Sequence, residues 1–330
     1  MEKTTVVTGA TGHIGANLVR ALLAQGRYVR VLLHVNQRAV EGLEVEIARG
    51  DVRDLASLRD AFRGADVVYH LAGRISLSMG DWPLLEAVNI AGTRNVVEAC
   101  LRCGVRRLVH FSSIHAITQE PLDVPVDESR PLVESRRCPP YDRSKAAGEK
   151  EVRRGIERGL DAVIINPTAV IGPYDFEPSY LGEALIDLAC RKLPALVNGG
   201  FDWVDVRDVV AGAMRAEECA ATGTKYVLSG HWVSVSGLAA IVEESTSVPP
   251  PRLVCPLWLA HVGAPFTVAL ARLTGGRPLY TNVSLRALKS NHNISHEMAT
   301  RDLDYNPRPF RETVVDTVRW FEENGYLGRS

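Results

Sequence analysis

Three glycines in the run Thr8-Gly9-Ala10-Thr11-Gly12-His13-Ile14-Gly15 constrain this chain more than any other feature. A β-branched segment at 4–8 precedes them, and an apolar-periodic segment at 14–25 follows. Between a strand and a helix, glycines serve three ends: a tight turn, close approach of backbone to an anion, and close packing of helix on sheet. The helix start then offers unpaired N–H groups and a positive dipole end, which together bind phosphate. Glycines at this spacing also occur in plain turns. The strand before and the amphipathic helix after make the dinucleotide reading specific.

The alternation continues beyond the loop. Residues 28–33 read as a second strand and 55–63 as a helix closed by Gly64. Residues 65–71 form a continuous apolar run, as a strand buried on both faces requires. A helix is expected over 82–103 with Gly104 as its C-cap, a strand over 105–111, a helix over 141–158 ended by Gly159, and a buried strand over 160–166. Strands alternating with helices predict an α/β fold with a doubly wound, Rossmann-type parallel sheet. After Pro167 the texture changes to Pro, Gly and aromatic residues, with a further helix at 180–192. The expected organisation is a Rossmann domain over 1–168 and a smaller, discontinuous substrate domain over 169–330. Within the latter, parts of about 200–230 (204–218 and 225–229) return to the sheet layer.

Composition excludes several classes. The chain is 46% hydrophobic and 23% charged, with a net charge of -1. No basic excess is present to neutralise phosphates, so no nucleic-acid partner is expected. The most apolar late stretch, 253–273, is broken by Pro256, Gly263 and Pro265 and carries His261 and Arg272. A span needs about 20 uninterrupted apolar residues, so no integral membrane association is expected. The stretch reads as buried or pocket-lining helix, with a peripheral membrane contact as the alternative. No export signal precedes the first strand. A cytoplasmic protein with reduced thiols at Cys100, Cys103, Cys138, Cys190, Cys219 and Cys255 is expected. Cys100 and Cys103 form a CxxC near a helix C-terminus, where the dipole raises a thiol pKa. Neither they nor His292 and His296 find further ligands in the pattern, so no metal is expected.

The cofactor's identity turns on the end of the second strand. An acid there would hold a ribose 2′-hydroxyl and repel a 2′-phosphate. Leu33-His34-Val35-Asn36-Gln37-Arg38 has no acid, and the basic Arg38 favours NADP over NAD. The alternative is a solvated Arg38 and NAD bound without a carboxylate. In Gly50-Asp51-Val52-Arg53-Asp54, Asp51 either bonds adenine while Val52 covers the ring, or caps the helix that begins near Leu55.

Tyr141 and Lys145 lie at i and i+4 on one helix face. An ammonium beside a phenol favours phenolate and lowers the Tyr pKa, so that the Tyr gives or takes a proton near neutral pH. Such a pair is common on surfaces and becomes specific beside a dinucleotide loop. Here TGATGHIG, GDVRD at 50–54, HLAG at 70–73, Asn89, Ser112-Ser113, YDRSK at 141–145, NPTAVIGP at 166–173 and FDWVDVRDVV at 201–210 follow in order. The chain therefore resembles the extended short-chain dehydrogenase/reductase family, also called the NAD-dependent epimerase/dehydratase family. Within it, the chain is similar to the dihydroflavonol-reductase-like and hydroxysteroid-dehydrogenase-like branch. The resemblance implies that Tyr141 is the acid/base, that Lys145 holds the nicotinamide ribose, and that Ser113, rather than Ser112, orients the substrate oxygen. It also implies a cofactor site lined by Gly9, Thr11, Gly12, His13, Ile14, Gly15, His34, Arg38, Asp51, Val52, Leu71, Ala72, Gly73, Asn166, Pro167 and Thr168. Asn89 matches a structural or proton-relay Asn, or bonds helix backbone. A homodimer through 82–103 and 141–158 is the family's pattern.

Three features narrow the chemistry. Ser113 is followed by Ile114 and His115 rather than by acids, so dehydration is not expected. Phe201 stands where nucleotide-sugar enzymes of the family often place an Arg, with Arg191, Lys192, Arg272 and Arg277 as the candidates to substitute for it. Trp82, His115, Tyr174, Phe176, Tyr180 and Trp203 are candidate substrate contacts, with core packing as the alternative for the aromatic residues. The leading expectation is an enzyme that transfers hydride between nicotinamide and the carbonyl or secondary alcohol of a small, fairly apolar substrate. The alternatives are a sugar epimerase and a non-enzymatic dinucleotide-sensing regulator.

Overall fold

Val and Ile crowd the segments marked as strands, and they build one parallel sheet. The computed structural model describes residues 3–274 and 281–328. The chain runs β1 (Thr4–Thr8), α1 (His13–Ala24), β2 (Tyr28–Leu33), β3 (Glu46–Arg49), α2 (Leu55–Phe62), β4 (Ala65–His70), α3 (Trp82–Leu85), α4 (Thr93–Cys103), β5 (Arg107–Phe111), α5 (Pro140–Glu157) and β6 (Ala162–Pro167). It continues through β7 (Ala169–Ile171), α6 (Tyr180–Ala189), β8 (Leu196–Val197), β9 (Gly200–Asp205), α7 (Val206–Cys219), β10 (Lys225–Leu228), β11 (His231–Ser234) and α8 (Val235–Thr246). The last elements are β12 (Val254–Cys255), α9 (Leu257–Thr274), α10 (Asn282–Ala287), α11 (Glu297–Leu303) and α12 (Phe310–Glu323).

Seven strands pair in the order β10-β6-β5-β4-β1-β2-β3, all parallel. Successive side chains serve opposite faces. Val7, Val31 and Val109 pack with Leu18, Leu22 and Val209 of α1 and α7. Val6, Val68 and Ile164 pack with Phe62, Val96 and Val152 of α2, α4 and α5. Each such side chain contributes about 1.5–3 kcal/mol by leaving water. The strand order reverses beside β1, which opens a crevice at the carboxyl ends of β1 and β4. The smaller lobe holds the sheets β11-β9-β7 and β12-β8, and its core includes Ile171, Leu185, Trp203, Leu238 and Val314. From that lobe, α7 and β10 return to the large sheet.

Two expectations are corrected. The helix over 82–103 is interrupted by a π-helical turn at Glu86–Gly92. Asn89 sits in this turn, and its side chain clamps the Arg74 backbone, accepting from N at 2.7 Å and donating to O at 2.9 Å. The Thr93 hydroxyl also donates to the Asn89 carbonyl at 2.8 Å, and such local bonds widen a helical turn. The apolar stretch at 253–273 is not simply buried. Ala260 and Ala264 of α9 pack on Val197, Leu285 and Leu288. Trp258, Leu259 and Val262 are 69%, 46% and 59% exposed, because the lobe covers only one side of a helix that is apolar on more than one.

Candidate active site

The loop after β1 is shaped by what it cannot accommodate. Gly9 has φ +70°, and a Cβ there would stand 2.6 Å from the Ala72 nitrogen. A Cβ on Gly15 would stand 2.1 Å from the Gly9 oxygen. On Gly12 it would meet only the Gly9 oxygen at 3.5 Å, so this position faces the open crevice. Helix α1 starts behind Gly12 with no side-chain cap and no acid in its first turn. Its first N–H groups are therefore free for an anion, and the cradle fits a dinucleotide pyrophosphate. The Ile14 side chain packs on the sheet core, which leaves its backbone for the anion. His13 Nε2 donates to the Gly172 and Pro173 carbonyls at 3.1 Å each, fastening the loop to the segment after β7.

At the ends of β2 and β3, Asp51 accepts from the Arg53 backbone at 2.8 Å and from its Nε at 2.9 Å. These bonds hold the Asp51 carboxyl below its usual range. His34 Nε2 is 3.3 Å from the same carboxylate. The capping reading of Asp51 is corrected: α2 is capped by Asp54, which accepts from the Ala56 N–H at 2.9 Å. Val52 is buried, and its carbonyl accepts from Asn95 at 3.0 Å. Arg38 leans on the smaller lobe, 3.4 Å from the Phe176 oxygen and 5.6 Å from the Tyr326 ring centre.

Pro139 and Pro140 fix the start of α5, which sets Tyr141 in its first turn and Lys145 one turn later. Ser113 follows β5, and its hydroxyl accepts from the His115 N–H at 3.2 Å. Asn166 donates to the Ser113 carbonyl at 2.9 Å and holds this turn from β6. Lys145 Nζ donates to the Phe111 carbonyl at 2.7 Å. A Cβ on Gly73 would lie 3.8 Å from Nζ and 3.4 Å from Asn89 Oδ1, so the loop after β4, carrying Leu71, Ala72 and Gly73, edges the same space. Burial pushes the Tyr141 phenol up to about 12, against the pull of a Ser113 hydrogen bond and with a further rise from Asp142. This direction is opposite to the one expected from the Tyr–Lys spacing, because the ammonium is turned to a backbone carbonyl. Burial also draws Lys145 down to about 8. Behind Lys145, His70 and His110 lie 5.3 Å apart, ring centre to ring centre, and are kept neutral by burial.

The candidate substrate residues do not converge. His115 sits edge-on to Tyr141 at 6.0 Å, and its Nδ1 is 3.6 Å from Asp142. Trp82 lies under the Arg143 guanidinium at 4.3 Å, against the same helix. Tyr174 and Phe176 instead cluster with Trp320, beneath Arg20 of α1. Tyr180 opens α6. Trp203 is core, 3% exposed and wedged between Phe201 and Phe310. Its Nε1 donates to the Val233 carbonyl at 3.0 Å, so the contact reading is corrected. His292 stacks on Trp232, and His296 bonds Ser229. The Arg272 side chain and Arg277 lie outside the described residues.

Sequence reading missed a cleft of about 420 Å³ at the start of α5, lined by Met79, Arg137, Pro139, His261, Arg286 and Lys289. The charge of Arg286 reaches Asp142, next to Tyr141. Local pattern held no signal for it, since its walls come from four separate segments. A smaller cleft of about 280 Å³, between Ala21 of α1 and Met214 of α7, lies on the outer helical layer.

The free helix start, the strand-order reversal and the cluster of Ser113, Tyr141 and Lys145 define an enzyme class built on a dinucleotide-binding Rossmann sheet. The model of the NAD-dependent epimerase/dehydratase family matches residues 5–228, and the chain belongs to that family. It is similar to sterol demethylase protein B of Methylococcus capsulatus, with 39% identity over 98% of this chain and 100% of that protein. A dihydroflavonol-4-reductase-like protein of Synechocystis sp. is 31% identical over 97% of this chain and 95% of its own. The crystal structure of gox2253 superimposes with a TM-score of 0.86 at 33% identity, covering 99% of this chain and 100% of that one.

Proposed function

We propose that this protein is an NAD(P)-dependent reductase or dehydrogenase that acts on a carbonyl or secondary alcohol of a small organic substrate. The observation that carries the reading is the gathering of three residues at the end of β5: Ser113 is close enough to act on the Tyr141 phenol, and Lys145, one helical turn behind Tyr141, bonds the Phe111 carbonyl two residues ahead of Ser113. When bound, the nicotinamide cofactor supplies or accepts the hydride. Gly12 and the first N–H groups of α1 would hold its pyrophosphate, and Lys145 would hold its nicotinamide ribose. Ser113 and Tyr141 donate to the substrate oxygen where negative charge develops. Tyr141, held protonated by burial, passes its proton to that oxygen in reduction and recovers it in oxidation. Arg38, in a β2–β3 connection that carries no acid before Glu41, and Arg53, paired with Asp51, favour a 2′-phosphate, and thus NADP.

The test follows NADPH and NADH oxidation against a panel of aldehydes, ketones, dihydroflavonols and ketosteroids. The reading expects NADPH turnover that falls about a hundred- to ten-thousand-fold in Tyr141→Phe, with cofactor affinity retained. Turnover unchanged in that variant would remove Tyr141 from the mechanism. Cofactor binding without net oxidation of any substrate would favour an internal epimerisation instead.

A further inference from the structure

We propose that the exposed face of α9, with the strand before it, docks on an anionic phospholipid bilayer, so that the cleft at the start of α5 opens next to the lipid surface. The face is apolar. Leu253, Val254, Trp258, Leu259 and Val262 are 64%, 41%, 69%, 46% and 59% exposed. Trp258 and Val262 stand one turn apart, and Leu259 joins Val262 at i, i+3, which makes a stripe rather than scattered residues. A Trp among aliphatic neighbours suits the boundary between headgroups and acyl chains.

The surroundings select the partner. His261, in the same turn, lines the cleft with Met79, which is itself 63% exposed. Arg137, Arg286 and Lys289 complete that wall with three cations. Between Glu244 and Glu297 the chain has no acidic residue, while Arg252, Arg272, Arg277, Arg286 and Lys289 all fall there. An apolar stripe set in an acid-free, basic segment complements an anionic lipid surface. A second copy would bring the same cations against themselves, because a two-fold interface pairs a patch with its own image. Among the described residues no helix is long and apolar enough to cross a membrane, so this helix lies on the surface.

The experiment uses the full chain and a readout apart from catalysis, so that it stands or falls separately from the proposed redox activity. Protein is sedimented with vesicles of phosphatidylcholine, or of phosphatidylcholine with about a third phosphatidylglycerol. We expect several-fold more protein in the anionic pellet, less as salt is raised, and a roughly tenfold loss in Trp258→Ser/Val262→Ser. Arg286→Gln/Lys289→Gln should lose binding to anionic vesicles only. The replaced side chains are exposed, so thermal melts and solution turnover of Trp258→Ser/Val262→Ser should match the parent. Absence from the anionic pellet, or pelleting unchanged in both variants, overturns the proposal. So does a dimer that Trp258→Ser/Val262→Ser splits in a protein that ignores vesicles.

Discussion

Lys145 Nζ donates a 2.7 Å hydrogen bond to the carbonyl of Phe111, two residues ahead of Ser113. The strand that delivers Ser113 thereby also holds the lysine, and the ammonium points to backbone rather than phenol. Burial lowers Lys145 from 10.5 to about 8. The folded chain then sheds this proton before the unfolded chain does. Between pH about 8 and about 10.5 the Lys145 contribution to stability rises with pH, while the charge that would hold the ribose is lost. The kcat/KM for reduction should be level from pH about 6 to 7 and fall above about 8. Lys145→Arg, weakly active, should lack that limb. A profile with the same limb in both proteins would assign it elsewhere.

Gly12 and Gly15 should respond differently to alanine. At Gly15 the new Cβ would strike the Gly9 oxygen at 2.1 Å, so the loop must move, and both melting temperature and dinucleotide affinity should drop. At Gly12 the Cβ has room but enters the anion cradle. Gly12→Ala should lose less than about 1 kcal/mol of stability and at least tenfold in NADPH affinity. Calorimetry and dinucleotide titration on the two variants separate the cases.

Trp203 is a structural residue by its geometry. Trp203→Ala should cost about 3–5 kcal/mol in urea unfolding. Trp203→Phe, which keeps most of the volume and loses the bond to Val233, should leave kcat/KM within about twofold. A selective loss of substrate affinity in Trp203→Phe would restore it to the pocket.

Asn166 reaches both the Ser113 carbonyl at 2.9 Å and Glu149 Oε2 at 3.3 Å from a fully buried position. Asn166→Ala leaves those acceptors short of a donor. It should lose about 1–3 kcal/mol and lower kcat through displacement of Ser113, read by denaturant titration and by turnover.

Local signals carried the features that sequence reading found. The glycine loop, the i, i+4 pair and the strand–helix alternation are each set by residues near in the chain. The misses share the opposite property. In the π-helical turn, Asn89 reaches back to Arg74, fifteen residues earlier. Trp203 reads as a pocket aromatic until Phe310 arrives from the C-terminal helix to bury it. The cationic wall joins Arg137 to Arg286 and Lys289, and no periodicity links them. Asp51 and Asp54 compete for one cap three residues apart, and backbone geometry decided for the nearer.

The seventh strand has a consequence for how the chain comes into being. β10 covers the outer edge of β6, yet about sixty residues, the smaller lobe's first elements and α7, lie between them in sequence. During synthesis from the N-terminus, the nascent sheet carries an open hydrogen-bonding edge for roughly three to twelve seconds at usual elongation speeds. Such an edge is a template for pairing with other chains. Stalling or truncation between Pro167 and Leu228 should therefore yield aggregates, whereas interruption soon after Leu228 releases a sheet whose β6 edge is already paired.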